Sequence, residues 1–129
     1  MMIYARERNL PAVLVVDDEP DVRTLLKAVL ELDGHEVLMA VDGVDACAIL
    51  ASTPSIGCVV LDLVMPNKEG IETISEISTH HPHVKIVAIS GAFGGQCLQI
   101  ARHMGADATI PKPLDLSRLR ESVLVLLKA

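Results

Sequence analysis

The sequence has no tryptophan, and its only tyrosine and phenylalanine are Tyr4 and Phe93, in a chain of 129 residues. Proteins that hold single-stranded nucleic acid stack its bases on aromatic side chains, and this chain has almost none to offer. Acidic residues outnumber basic ones by 17 to 11, and the resulting net charge of −6 repels a phosphate backbone. Direct binding to nucleic acid is therefore not expected.

Cysteine is scarce, and long apolar segments are missing. The chain has three cysteines, Cys47, Cys58 and Cys97, which are far apart among apolar neighbours. This pattern predicts small buried thiols in a reducing compartment, the cytoplasm, and neither a disulfide framework nor a CxxC metal site. No apolar run approaches the roughly 20 residues that cross a bilayer, and the first ten residues lack the pattern of a signal peptide. We therefore expect no membrane association.

Apolar residues make up 50% of the chain and charged residues 22%, which is typical of a globular protein with a large core. The length fits one domain, because domains usually hold about 100 to 200 residues. The scarcity of aromatic side chains means that Leu, Ile, Val and Ala fill that core. Residues 1–11 are predicted to form an N-terminal arm, and residues 12–129 the folded domain.

Short apolar runs alternate five times with segments of helical period, which is the pattern of repeated βα units. Connections this short imply right-handed crossovers and a doubly wound parallel sheet with helices on both faces, an α/β fold. The predicted strands are 12–16, 36–40, 58–61, 85–89 and 108–110. The predicted helices lie at about 22–30, 44–51, 71–77, 96–104 and 116–128, with Gly34 closing the first.

Ligands bind at the carboxyl ends of the strands in such sheets. The residues there are Asp17 and Asp18 after the first strand, Asp62 after the third, Ser90 after the fourth and Lys112 after the fifth. Three converging carboxylates repel one another unless a cation lies between them. Ligands that are all hard oxygens favour Mg²⁺, or Mn²⁺, over zinc. One such aspartate alone would more often cap the next helix, so the prediction depends on the whole set.

The ordered set of strand-end motifs resembles the receiver domain of bacterial two-component response regulators, from about Pro11 to the C-terminus. Each motif is weak alone, but the combination is specific. The resemblance implies a single (βα)5 flavodoxin-like domain with strand order 2-1-3-4-5. The motifs are Asp17-Asp18, Asp62-Leu63-Val64-Met65-Pro66 with Gly70, Ser90-Gly91-Ala92 and Lys112-Pro113.

The resemblance implies that Asp62 accepts a phosphoryl group. Its carboxylate is ionised at neutral pH, so it can attack phosphorus without a general base. Lys112 would neutralise the phosphoryl oxygens, aimed by a cis peptide bond to Pro113, and the Ser90 hydroxyl would turn inward to bond to the new group. We expect self-phosphorylation and slow self-dephosphorylation, without turnover of an external substrate.

The metal ligands implied by the same resemblance are Asp18 directly, Asp17 through water, Asp62, and the backbone carbonyl of Val64. The expected cofactor is Mg²⁺, with Mn²⁺ as a substitute. Val64 is apolar where relatives often carry a polar side chain that positions the hydrolytic water, which predicts a long-lived phosphoryl group.

The implied partners are a histidine kinase or histidine phosphotransfer protein, as the donor, and a downstream protein target. The target would bind the face formed by the fourth helix, fifth strand and fifth helix, and phosphorylation-linked dimerisation is a further possibility. Thr109 stands where many relatives carry a switching aromatic residue, so the loop that bears Phe93 is expected to carry more of the change.

Two other functions stay open at this stage. The chain could be a non-phosphorylated pseudo-receiver that acts as a protein-interaction adaptor, although the intact acidic pair, Asp62, Ser90 and Lys112 weigh against this. It could also be a small phosphohydrolase of the haloacid-dehalogenase type. Those enzymes need a second Asp two residues after the nucleophile, where this chain has Val64.

Overall fold

The computed structural model describes residues 10–63, 68–91 and 96–128, in which strands and helices alternate. Most of the predicted N-terminal arm therefore lies outside the described residues. Among the residues that are described, no helix is long and apolar enough to cross a membrane. The elements are β1 (Ala12–Val16), α1 (Pro20–Glu31), β2 (Val37–Ala40), α2 (Gly43–Ser52), β3 (Ile56–Asp62), α3 (Lys68–His80), β4 (Lys85–Ser90), α4 (Gln96–Met104), β5 (Ala108–Pro111) and α5 (Leu116–Lys128).

The strands form one five-stranded parallel sheet in the order β2-β1-β3-β4-β5, which confirms the predicted topology. β1 lies between β2 and β3, and Val16 at its end pairs with Ala40 on one side and Leu61 on the other. Asp62 pairs with Ile89, and Ser90 with Pro111. This register brings the carboxyl ends of β1, β3, β4 and β5 to one edge of the sheet.

Alternate side chains of β1 point into two separate cores, one on each face of the sheet. Leu14 packs with residues of α2, α3 and α4, whereas Val13 and Val15 pack with residues of α1 and α5. Every residue of β1 is buried, because helices cover both of its faces. The aliphatic residues predicted to fill the core do fill it on both sides.

Local signals set the helix ends. The Asp42 side chain caps α2 by accepting a 2.8 Å hydrogen bond from the Asp45 N–H. The Asp115 carboxylate caps α5 by accepting from the N–H groups of Ser117 (3.0 Å) and Arg118 (3.2 Å). α1 ends at Glu31, before Gly34, whose positive φ of 88° turns the chain toward β2.

Candidate functional site

The sheet brings the predicted site residues to its carboxyl edge. Asp17 follows β1 and is 3% exposed, while Asp18 beside it is exposed to solvent. Asp62 is the last residue of β3, and Ser90, which is buried, is the last residue of β4. Lys112 comes directly after β5. Val64, whose carbonyl was predicted to bind metal, and Phe93 lie outside the described residues.

Lys112 reaches across the edge of the sheet to Asp62. Its Nζ lies 2.9 Å from Oδ2 of Asp62, whose side chain is only 6% exposed, against 43% for the lysine. The Lys112 N–H donates a 3.1 Å hydrogen bond to the Ser90 carbonyl, which ties the lysine backbone to the end of β4. The peptide bond between Lys112 and Pro113 is cis, as the resemblance implied.

Asp17 lies in a pocket that disfavours its charge. The pKa of Asp17 is raised from its ordinary value of 3.8 to about 7, first by burial, then by contact with the Asp62 carboxylate and by the charges of Asp62 and Asp18. The N–H of Glu19 donates a 2.8 Å hydrogen bond to Oδ1 of Asp17 and partly offsets this rise. Because the carboxylates of Asp17 and Asp62 are buried and in contact, they must share a proton or a cation.

Asp17 and Asp62 each keep one carboxylate oxygen that no donor among the described residues satisfies. Oδ2 of Asp17 and Oδ1 of Asp62 are buried, and neither has a hydrogen-bond partner within the described part of the chain. Buried polar atoms are nearly always paired, so this pair is an exception that a bound cation would remove. Oxygen donors of this kind fit Mg²⁺ or Mn²⁺.

Side chains alone do not complete a metal site here. Over residues 10–63, 68–91 and 96–128, no group of three or more His, Cys, Asp or Glu side chains is arranged to hold a metal ion. The predicted cluster of three carboxylates is therefore not found as such: Asp17 and Asp62 are in contact, while Asp18 acts on Asp17 only through its charge from the exposed side. A cation near the two orphaned oxygens would need further ligands, which Asp18, a backbone carbonyl and water could supply.

Two contacts at the site were not identified from the sequence. Arg23 donates a 2.7 Å hydrogen bond from Nη1 to the carbonyl of Asp17, so the first turns of α1 hold the acidic loop. Gly91 packs directly against the stem of Lys112. The available signals were a cation shortly after an acidic pair and a glycine directly after a strand, and both are too common to be specific.

The expected output face contains a cleft of about 350 Å³ between α4 and β5. Inside it, Nη2 of Arg102 donates a 2.7 Å hydrogen bond to Oγ1 of Thr109. Thr109 is therefore tied to α4 by a polar contact at the place where many relatives carry an aromatic residue. The cleft is lined by Leu98, Gln99, Arg102, His103 and Thr109.

Comparison with known proteins decides the family. A family model described as the response regulator receiver domain matches residues 13–124. The chain belongs to the receiver-domain family of response regulators. The receiver is 36% identical to the transcriptional regulatory protein CpxR of Escherichia coli K12 over 104 residues, which cover 80% of this chain and 43% of CpxR. It therefore spans less than half the length of that relative.

Other relatives are closer to this receiver in size. The chemotaxis protein CheY of Treponema pallidum is 35% identical over 118 residues, which cover 90% of this chain and 82% of CheY. Among solved structures, the receiver domain of NtrX from Brucella abortus superposes with a TM-score of 0.81 at 32% identity, covering 91% of this chain and 98% of that one. A CheY-like receiver from Methanospirillum hungatei gives 0.82 at 26% identity, covering 92% and 94%.

Proposed function

We propose that this receiver accepts a phosphoryl group on Asp62 from the phosphohistidine of a histidine kinase or histidine phosphotransfer protein, in a reaction that requires Mg²⁺. The observation that supports this most directly is the environment of the Asp62 carboxylate. Lys112 holds one of its oxygens at 2.9 Å, and the other is buried without a hydrogen-bond partner among the described residues. A carboxylate nucleophile that lies beside the Lys112 ammonium and can also bind a metal ion is suited to phosphoryl transfer, because both cations neutralise the phosphoryl oxygens.

This phosphoryl transfer needs no general base. A carboxylate oxygen of Asp62 forms a bond to phosphorus, the P–N bond of the phosphohistidine breaks, and its electron pair returns to the imidazole. Charge accumulates on the three phosphoryl oxygens, and the Lys112 ammonium is close enough to move from the carboxylate to those oxygens. The buried Ser90 lies on the neighbouring strand, where its hydroxyl could bond to the new group.

The residues that would hold Mg²⁺ are Asp17, Asp18, Asp62 and the backbone carbonyl of Val64, and Mn²⁺ would substitute. A bound ion supplies Lewis-acid neutralisation of the phosphoryl oxygens and relieves the repulsion between the carboxylates. The hydrogen bond from Arg23 to the Asp17 carbonyl keeps the acidic loop in place for it. In this proposal the receiver turns over no external substrate.

A switched surface completes the proposal. We place it on α4, β5 and α5, where the Arg102–Thr109 hydrogen bond would break or shift as the end of β4 rearranges. A downstream protein, or a second phosphorylated copy of the receiver, would bind there. Cys47, Cys58 and Cys97 form no disulfide, which supports a reducing compartment, and we propose that this is the cytoplasm.

The test is intact-mass spectrometry after incubation with acetyl phosphate and Mg²⁺. We expect one added phosphoryl group on the wild type, none on Asp62→Asn, and none when a chelator replaces the metal. The constitutive adaptor is the alternative that this experiment separates. A wild-type receiver that stays unmodified while folded would favour the adaptor and overturn the proposal.

A further inference from the structure

β2 forms one edge of the sheet, and part of its backbone points away from the other strands. In the order β2-β1-β3-β4-β5, no described strand lies beyond β2. The carbonyls of Glu36 and Ala40 point toward β1 and its end, from which they accept hydrogen bonds of 2.9 Å and 3.2 Å. Backbone groups alternate in direction along a strand, so the N–H and C=O groups of Val37 and Met39 point out of the sheet. These groups are placed to pair with an added strand.

The side chains along this edge are apolar and exposed. Met39 is 41% exposed, Val41 directly after the strand is 47% exposed, and Val44 in the first turn of α2 is 78% exposed. The N–H of Val41 is already bonded, because it donates a 3.0 Å hydrogen bond to Oδ2 of Asp45. The backbone available for pairing therefore runs from Val37 to Met39, and exposed apolar side chains continue beyond it.

The opposite edge of the sheet is protected against pairing in a way that β2 is not. β5 contains Pro111, which has no N–H to donate, and proline is a common means of blocking an edge strand. The Thr109 side chain of β5 is also bonded to Arg102 of α4. β2 contains no proline, glycine or lysine in its four residues. An edge of this kind can accept an extended segment as a further strand.

The charges around β2 determine which kind of segment it would attract. Glu36 precedes the strand, Asp42 lies two residues after it, and both are exposed. Neither forms an ion pair with a described lysine or arginine, whereas Asp33 is paired with Arg120 at 2.8 Å. Residues 31–45 contain no lysine or arginine at all. A segment with basic side chains is therefore attracted to this edge, and an acidic segment is repelled from it.

A second copy of the chain is poorly matched to the same edge. Antiparallel pairing of two β2 strands centred on Met39 would place Glu36 of each copy opposite Asp42 of the other. Like charges directly opposite each other in paired strands are destabilising. The net charge of −6 adds to the repulsion between copies. The charges thus favour a partner of the opposite sign over self-association.

We propose that the β2 edge, from Val37 to Met39, docks an extended segment of another protein in which basic and apolar residues alternate. The backbone of the segment would pair with Val37 and Met39. Its apolar side chains would lie beside Met39 and Val41. Its basic side chains would lie near Glu36 and Asp42. β2 and β5 are opposite edges of the sheet, so a protein bound at β2 leaves the proposed output face free for a second partner.

The first experiment measures amide exchange in the presence of a synthetic peptide of about seven residues, in which lysine and valine alternate. We expect the amide protons of Val37 and Met39 to exchange at least about tenfold more slowly in the complex. Those of Leu38 and Ala40 should change little, because they already face β1. Slowed exchange confined to the loop after β1 and to Asp62 would overturn the proposal, since the lysines would then bind the acidic site.

The second experiment separates strand addition from charge attraction, by fluorescence anisotropy of the labelled peptide. Met39→Lys adds a positive charge in the middle of the edge and should weaken binding about tenfold. The matched control, Val125→Lys, adds the same charge at an exposed valine of α5 and should leave the affinity within about twofold. Equal weakening by both variants would overturn the proposal, since binding would then depend on net charge alone.

Two altered peptides test the backbone pairing and the charge preference on the unmodified protein. The lysine–valine peptide with methylated backbone nitrogens cannot donate hydrogen bonds, so it should bind at least about tenfold more weakly. A peptide with glutamate in place of lysine should also bind at least about tenfold more weakly. Equal binding of either altered peptide would overturn the proposal.

Sedimentation of the unphosphorylated chain tests the second copy as the occupant. We expect no dimer that depends on Met39. A dimer that dissociates in Met39→Lys would assign the edge to a second copy and overturn the choice of a basic partner. All of these measurements are made without phosphate donors, so their outcome is independent of the proposed phosphoryl transfer.

Discussion

Replacing Asp17 by Asn should stabilise the metal-free protein at alkaline pH. The folded-state pKa of Asp17 is raised by burial to about 7, from the 3.8 expected in the unfolded chain. Between these values the folded state binds more protons than the unfolded state, so the contribution of Asp17 to stability falls as pH rises through that range. Above pH 7 the buried charge opposes folding in full, and an uncharged amide of nearly the same shape removes that opposition.

The magnitude follows from the interval between the two pKa values. At about 1.4 kcal/mol per pH unit, an interval of about three units corresponds to roughly 4 kcal/mol. Water that enters the open side of the pocket reduces the gain, and an asparagine Oδ1 can still accept the Glu19 hydrogen bond, so we expect a net gain of about 2 to 4 kcal/mol at pH 8. Near pH 4 the two proteins should be equally stable.

Urea unfolding in EDTA, followed by circular dichroism because the chain has no tryptophan, measures this difference at several pH values. Adding Mg²⁺ at a hundred times its dissociation constant should stabilise the wild type by about 2.7 kcal/mol and the Asp17→Asn variant by much less. The matched control is Asp18→Asn, which removes the same charge from an exposed neighbour and should give a smaller gain. A stability difference that does not change between pH 4 and pH 8 would refute the reasoning.

Two further predictions concern packing and pH. Gly43→Ala should lower the free energy of unfolding by about 1 to 3 kcal/mol, because its Cβ would overlap the Thr73 hydroxyl of α3, and urea titration should show part of the loss recovered in the Gly43→Ala/Thr73→Ala double variant. Burial lowers the pKa of His35, and the charge of Asp33 only partly opposes this. Since the unfolded chain then binds the proton more readily, stability should fall as pH drops below about 6.5. In His35→Phe, the melting temperature measured by thermal denaturation should depend less on pH in that range. An unchanged pH profile in that variant would contradict the second prediction.

Much of the fold could be predicted because its signals are local and repeated. Continuous apolar runs such as β1 occur only where helices cover both faces of a strand, and the runs of helical period between them leave few alternative topologies. The least accurate predictions were element ends. β3 begins at Ile56, two residues earlier than predicted, since pairing with β1 extends it through Gly57, which carries no apolar side chain to mark it.

The sequence predicts which residues lie together at the strand ends, but it does not predict the contacts between them. The positions of Asp62, Ser90 and Lys112 follow from the parallel sheet, because residues that end neighbouring strands must share one edge. The hydrogen bond from Arg23 to the Asp17 carbonyl and the approach of Gly91 to Lys112 depend on side-chain direction and on backbone spacing of a few tenths of an ångström. No periodicity in the sequence encodes those quantities.

The same carboxylates that are proposed to serve phosphoryl transfer weaken the resting fold. Within the part of the chain that the structure describes, Asp17 and Asp62 each keep one buried oxygen without a donor. Selection for stability alone would remove such an arrangement, and the expected gain from Asp17→Asn measures its cost. A cation bound there stabilises the folded state only, and a phosphoryl group on Asp62 adds negative charge that attracts the cation and the Lys112 ammonium more strongly. In the proposed function, the paired carboxylates at the ends of β1 and β3 would thus link ligand occupancy to the rigidity of the strand ends. Because β4 and β5 end at the same edge and precede α4 and α5 in the chain, we expect that change in rigidity to reach the proposed output face through the backbone.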